Sequence, residues 1–189
     1  STPIKSSAAS DVYKRQILRG QARIAAADFV QRYVDLKDPA AGCRPCPDYG
    51  RYWTCPPYDV PAADYWAGFD TVLLEGMQFH FTPAMLERRF DPEELAEYTR
   101  RLTAEQARQM DRALRRQYPG AAVLTTGGCM LCAACTRPAG RPCRHPEAVG
   151  YSLESLGCDV GAAARGELGW ELLWPRRDKL PRYLTLLCA

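Results

Sequence analysis

The cysteines constrain this chain more than any other feature, because seven of its nine lie in two short stretches. The first stretch has the pattern C-x2-C-x8-C-P-P, with thiols at Cys43, Cys46 and Cys55. The second has the pattern C-x2-C-x2-C-x7-C, with thiols at Cys129, Cys132, Cys135 and Cys143. No secretory segment is recognisable near residue 1, and cytosolic thiols stay reduced. Clustered cysteines in that setting indicate metal ligands rather than disulfides.

The second stretch predicts a [4Fe–4S] cluster. Three thiols in a tight loop, with a fourth further along, are a common way to hold this cofactor. Four thiolates on one zinc ion, with bonds of about 2.3 Å, stand only about 3.8 Å apart, so three from one loop crowd each other. A cubane spreads its thiolates to roughly 6 Å, because they bind irons at separate corners. Zinc acting as a structural staple is the alternative.

Charge near the second stretch does not distinguish iron–sulfur from zinc. Four thiolates give a net charge of about −2 with either Zn²⁺ or an oxidised cluster. Both therefore favour the basic neighbours Arg137, Arg141 and Arg144. His145 follows Cys143 closely, but four thiols already complete a site, so we interpret it as a solvated histidine.

The first stretch offers three thiols, enough for a second cluster with one open iron or for a site completed from elsewhere. Cys158 and Cys188 are candidates for its fourth ligand, although their apolar neighbours favour simple packing. Alternatively, the two stretches pool their thiols in one site. An open coordination position would allow substrate to bind there. The aromatic residues near this stretch either shield a metal or belong to the core: Tyr49, Tyr52, Trp53 and Tyr58.

The apolar pattern predicts an α+β fold with a small mixed sheet of about four strands. Residues 70–81 begin with a buried run and then alternate, which is typical of a strand. Shorter strands are expected at 121–126, 169–174 and 182–188, the last two forming a hairpin.

Helices are predicted over residues 17–37 and 91–117. The second begins with an Asp cap and a proline in its first position. Residues 39–61 and 127–150 are predicted to be long loops that carry the two groups of cysteines. Loops of this length are usually functional.

The first 16 residues differ from the rest, since they are rich in Ser and Ala and show no helical or strand period. We interpret residues 1–16 as a non-native or disordered tail, and residues 17–189 as one metal-binding domain. Without the tail, the formal net charge falls from +3 to about +1. A nucleic-acid partner is not expected, because such binders carry a clustered basic excess.

No apolar run reaches the roughly 20 residues that a membrane helix needs, so no membrane association is expected. The expectation from composition is a cytoplasmic protein. Only two histidines are present, which argues against a Ser-His-Asp hydrolase.

The two cysteine patterns together resemble a known family. A C-x2-C…Y-G…W-x-C-P-P-Y segment, a later C-x2-C-x2-C…P-C-R-x-P segment and a following G-x-D-V are similar to an uncharacterised family of predicted metal-binding proteins in bacteria and archaea. The resemblance covers about residues 25–189. It implies metal or iron–sulfur binding at the seven clustered cysteines, and no established reaction.

The leading functional hypothesis is an iron–sulfur protein that transfers electrons, or serves as a redox subunit, with a redox protein as partner. The first alternative is a zinc-binding module without redox activity. The second is an enzyme that uses an open iron at Cys43, Cys46 and Cys55 as a Lewis acid.

Overall fold

A computed structural model describes residues 16–129 and 131–189 of the chain, and a small antiparallel sheet forms its centre. Its strands are β1 (Gln16–Ala25), β2 (Thr71–His80) and β3 (Tyr183–Cys188), in the order β1-β2-β3. The central strand β2 is buried along most of its length. The predictions for residues 70–81 and 182–188 are therefore confirmed.

Five α-helices accompany the sheet in the described part of the chain. They are α1 (Ala26–Tyr33), α2 (Ala62–Ala67), α3 (Pro83–Glu87), α4 (Pro92–Gln117) and α5 (Val160–Ala163). A π-helical turn, Ala164–Leu168, continues α5. Short 3-10 turns occur at Arg137–Ala139, Pro146–Ala148 and Glu154–Leu156. No described helix has both the length and the apolar character needed to cross a bilayer.

Helix α4 begins where the sequence predicts. The Asp91 side chain accepts hydrogen bonds from the backbone N–H groups of Glu93 (2.8 Å) and Glu94 (3.3 Å), and Pro92 occupies the first helical position. These contacts satisfy donors that a helix start otherwise leaves without partners.

The predicted helix over residues 17–37 is wrong for its first half. Residues Gln16–Ala25 form an edge strand, and the helix is limited to Ala26–Tyr33. Gly20 disfavours a helix interior, and it lies opposite Gly76 of β2 in the strand pairing. Residues 16–25 form a strand because β2, which is distant in the sequence, provides their hydrogen-bond partners. A local apolar pattern cannot reveal such partners.

The predicted mixed sheet of about four strands is also wrong in detail. Residues 121–126 contribute only one isolated bridge, between Thr125 and Ser152, and residues 169–174 form no strand. The predicted hairpin is absent, because β3 pairs with β2. Trp170 instead packs its ring over Gly20 and Gly76 on one face of the sheet. The broader prediction of mixed helices and strands is confirmed.

The two faces of β2 pack against different helices. One face presents Val72 and Leu74 to a core that contains Phe29 of α1 and Trp66 of α2. The other face presents residues such as Met77 to a core that includes α4.

The described tail residue, Gln16, begins β1, and the remainder of the predicted 1–16 tail lies outside the described residues. The single-domain interpretation of residues 17–189 stays a prediction.

The packing over Gly76 provides a test of the sheet. We expect Gly76→Ala to lower the free energy of unfolding by about 1–3 kcal/mol, because its new Cβ is crowded by the rigid Trp170 ring. An ideal Cβ at Gly76 would lie 2.6 Å from Trp170 Cζ3 and 2.6 Å from Leu168 Cδ1. Gly42→Ala is the matched control, since nothing lies within 4 Å of its Cβ position. Equal stability of the two variants in urea unfolding would contradict this packing.

Candidate metal centre

The four cysteines of the second stretch line one cavity. All four are partly buried. The other residues that line the cavity are Tyr52, Trp53, Leu131, Thr136, Arg144 and His145. The sequence prediction therefore named four side chains that the fold brings to one place. In residues 16–129 and 131–189, no three or more Cys, His, Asp or Glu side chains form a group that could hold a single ion as they stand.

The surroundings of these thiols mix burial with hydrogen bonding. Burial raises the pKa of the Cys129 thiol, a backbone hydrogen bond from Leu131 lowers it, and the other three thiols of the stretch raise it further. The backbone N–H of His145 donates to Cys143 Sγ at 3.4 Å. Backbone N–H groups directed at sulfur stabilise the thiolate form that metals bind.

The three predicted basic neighbours have different positions. Arg144 lines the cavity, and its Nη1 donates to the Ala134 carbonyl at 2.9 Å. Arg137 and Arg141 do not line it. His145 lines the cavity and is exposed overall, which agrees with its interpretation as a solvated residue.

Arg137 joins the second stretch to the first. Its Nη1 donates to the carbonyls of Tyr52, at 2.7 Å, and Cys55, and its Nη2 donates to the carbonyl of Pro57 at 2.7 Å. Its guanidinium also lies 5.5 Å from the ring centroid of Trp53. One side chain of the second stretch therefore fixes the backbone of the first.

Trp53 and Thr54 make the reciprocal contacts. Trp53 Nε1 donates to Thr136 Oγ1 (3.2 Å) and to the Arg141 carbonyl (3.3 Å). The Cys129 backbone N–H donates to Oγ1 of the buried Thr54 at 3.2 Å. The first loop thus forms one wall of the cavity and holds the backbone of Cys129 in position.

The cysteines of the first stretch neighbour each other as well. Successive turns fold this loop: the Cys46 N–H donates to the Cys43 carbonyl and the Cys55 N–H to the Tyr52 carbonyl, both at 3.0 Å. Burial raises the pKa of Cys43, and Glu154, Cys55 and Cys46 raise it further. Cys46 is the exposed member.

The cavity is lined by one group of clustered cysteines and not by the other. The cysteines that line the cavity all come from the second stretch. Tyr52 lines the cavity from the first loop, and burial raises the pKa of its hydroxyl, with smaller effects from nearby charges that include Cys55 and Cys135. Two aromatic residues of the first loop, Tyr52 and Trp53, therefore form part of the wall of the cavity.

Cys158 and Cys188 belong to the apolar cores, as their neighbours in the sequence predict. They are 6% and 0% exposed. Burial raises the pKa of both thiols, that of Cys188 to about 12. His80 is also structural, since its Nε2 lies 3.1 Å from Gln78 Oε1 and its ring packs on Tyr183.

Sequence reasoning missed Glu154. It lies at the start of a 3-10 turn between the buried residues Leu153 and Leu156, and its carbonyl accepts a hydrogen bond from Cys43 Sγ at 3.8 Å. Burial raises the pKa of its carboxyl. The available signal was an acidic residue within an otherwise apolar and serine-containing turn, YSLESLG.

The contacts of Arg137 lead to a prediction about loop stability. We expect Arg137→Met to lower the free energy of unfolding of the metal-free protein by about 2–4 kcal/mol, since charge-assisted hydrogen bonds to three carbonyls are lost. Arg141→Met is the control, because its exposed side chain makes none of these contacts and should change stability by less than about 0.5 kcal/mol. Guanidinium unfolding and limited proteolysis of residues 43–58 measure the effect. Equal protease resistance of both variants would refute the tethering role.

Comparison with known proteins adds one match. The model of the family described as "Predicted metal-binding protein (DUF2284)" matches residues 31–188. Searches of curated proteins and of solved structures gave no match. The matched region includes both cysteine stretches, and it confirms the resemblance found in the sequence. The chain therefore belongs to this family of predicted metal-binding proteins, for which no function is established.

Proposed function

We propose that the chain holds a [4Fe–4S] cluster on Cys129, Cys132, Cys135 and Cys143 and works in electron transfer or as a redox subunit. The observation that carries this proposal is the single cavity lined by all four thiols. Thiolates that surround a shared space suit a cubane, because each binds a different corner.

The rest of the lining fits such a cluster. Arg144 supplies positive charge beside four thiolates that would carry a net negative charge with the cluster. The His145 N–H and the Leu131 N–H reach sulfur atoms, and hydrogen bonds of this kind tune cluster potentials. Tyr52 and Trp53 form an aromatic wall that limits solvent access.

When bound, the cluster would supply a one-electron couple between a reduced donor protein and an oxidised acceptor protein. The chain's own residues would insulate that centre and present it to the partners. Leu131 lines the cavity and is 48% exposed, so it offers an apolar contact at the surface. Exposed Arg144 and His145 lie beside it and would complement an acidic partner surface.

Cys43, Cys46 and Cys55 form the candidate second centre under this proposal. Their thiols neighbour one another, and none of the three lines the cavity of the second stretch. A second cluster there would extend the electron path through the shared wall between the two loops. If zinc occupies both groups instead, the contacts between the loops have a purely structural role.

Anaerobic purification with metal, sulfide and absorption analysis tests the cofactor. We expect a brown protein that absorbs near ~400 nm, with iron matched by acid-labile sulfide. About four irons per chain indicate one cluster and about eight indicate two. A colourless protein that contains zinc and no sulfide would replace the redox proposal with the structural zinc alternative.

A single substitution tests the ligand set. We expect Cys132→Ala to lose most of the iron of the second-stretch cluster and to give less folded protein, because metal binding contributes to folding free energy. Cys188→Ala is the control: it should keep its iron, since this thiol is buried in the core. Unchanged iron in Cys132→Ala, measured on the anaerobically purified protein, would exclude the second stretch as a cluster site.

A further inference from the structure

We infer that Glu154 is the fourth protein ligand of the centre formed by Cys43, Cys46 and Cys55. This inference rests on the proposed function, since it requires metal at the first stretch. It gives that centre a mixed set of three thiolates and one carboxylate.

The placement of Glu154 is the first argument. Its 3-10 turn is fixed by a reciprocal pair of hydrogen bonds, in which each backbone N–H of Ser152 and Ser155 donates to the other residue's Oγ at 3.1 Å. The flanking Leu153 and Leu156 are 0% and 2% exposed and anchor the turn in the core. Cys43 Sγ contacts the carbonyl of Glu154 itself. The turn therefore holds Glu154 against the first thiol of the stretch.

The carboxylate is the second argument. Glu154 is partly exposed as a residue, but its Oε2 is sealed from solvent and has no hydrogen-bond partner. In the described residues, only Thr185 Oγ1 shares this condition. A buried carboxylate oxygen without a partner is costly, and it calls for a specific explanation such as an ion.

Metal coordination gives that explanation. A bond from Oε2 to a metal would satisfy the oxygen and offset the cost of a buried charge. Carboxylate oxygens bind iron and zinc, although they are harder donors than thiolates. The 3.8 Å contact between Cys43 Sγ and the Glu154 carbonyl oxygen places this residue beside the first thiol of the stretch.

The same assignment explains why no fourth cysteine is needed. Cys158 and Cys188, the candidates suggested by sequence, are packed in the apolar cores. A carboxylate is also a weaker ligand for iron than a thiolate, so this corner of a cluster would exchange more readily. The first centre would then be the labile one, and the second-stretch cluster, with four thiolates, the stable one.

The test compares Glu154→Gln with wild type after anaerobic purification of the full chain. We expect Glu154→Gln to lose about one iron per chain and to show the electron paramagnetic resonance signal of a three-iron cluster, because the carboxylate-bound corner is lost. Glu154→Cys should restore the iron content and remove that signal. Glu87→Gln is the matched control, because it removes an exposed carboxylate outside both loops.

The outcomes separate this inference from the proposed function. Wild-type iron content and an unchanged signal in Glu154→Gln would overturn the ligand assignment and make Glu154 a buried neutral acid. Iron-free wild-type protein, or unchanged iron in Cys132→Ala, is a failure of the proposed function. If Glu154→Gln does not fold, the electron paramagnetic resonance spectrum of Glu154→Cys is the deciding measurement. A spectrum identical to that of the wild type overturns the assignment. An altered spectrum with full iron content supports it.

Discussion

The contact between the two cysteine-rich loops is the interaction on which the candidate site depends. Arg137 donates to three carbonyls of the first loop, and Trp53 and Thr54 of that loop hold the second through Thr136 and the Cys129 N–H. Without these bonds, two long segments with little regular structure would each have to order alone, at a large cost in conformational entropy. The contacts offset part of that cost and bring the thiols into a shared framework.

The sheet and helices supply the rigid support for that framework. Glycines at positions 20 and 76 face each other across β1 and β2, and the Trp170 ring fills the space they leave. This packing connects Trp170, which follows the π-helical turn, to the sheet. The apolar core against which Trp170 packs also contains Leu153 and Leu156, and these two residues fix the 3-10 turn that carries Glu154. A buried carboxylate oxygen can be maintained without a protein partner only where the surrounding backbone is held this firmly. We therefore regard the turn as part of the candidate site.

Local chemistry explains which predictions succeeded. Asp91 and Pro92 define the start of α4 because the cap and its backbone donors lie within three residues. The apolar context of Cys188 likewise indicates packing. The helix predicted over residues 17–37 was wrong, because β1 obtains its hydrogen bonds from β2, about fifty residues away. The strand at 169–174 was wrong for a similar reason, since Trp170 packs on a pair of distant glycines.

The sequence by itself determined the candidate ligands, their grouping and the family, because thiol spacing and motif order are local properties of the chain. Only the tertiary structure decided that the second group lines one cavity, that Tyr52 and Trp53 of the first loop line it too, and that Glu154 lies beside Cys43. Cys43 and Glu154 are separated by 111 positions. A contact over that distance depends on the packing of the whole core, which no short pattern of residues encodes.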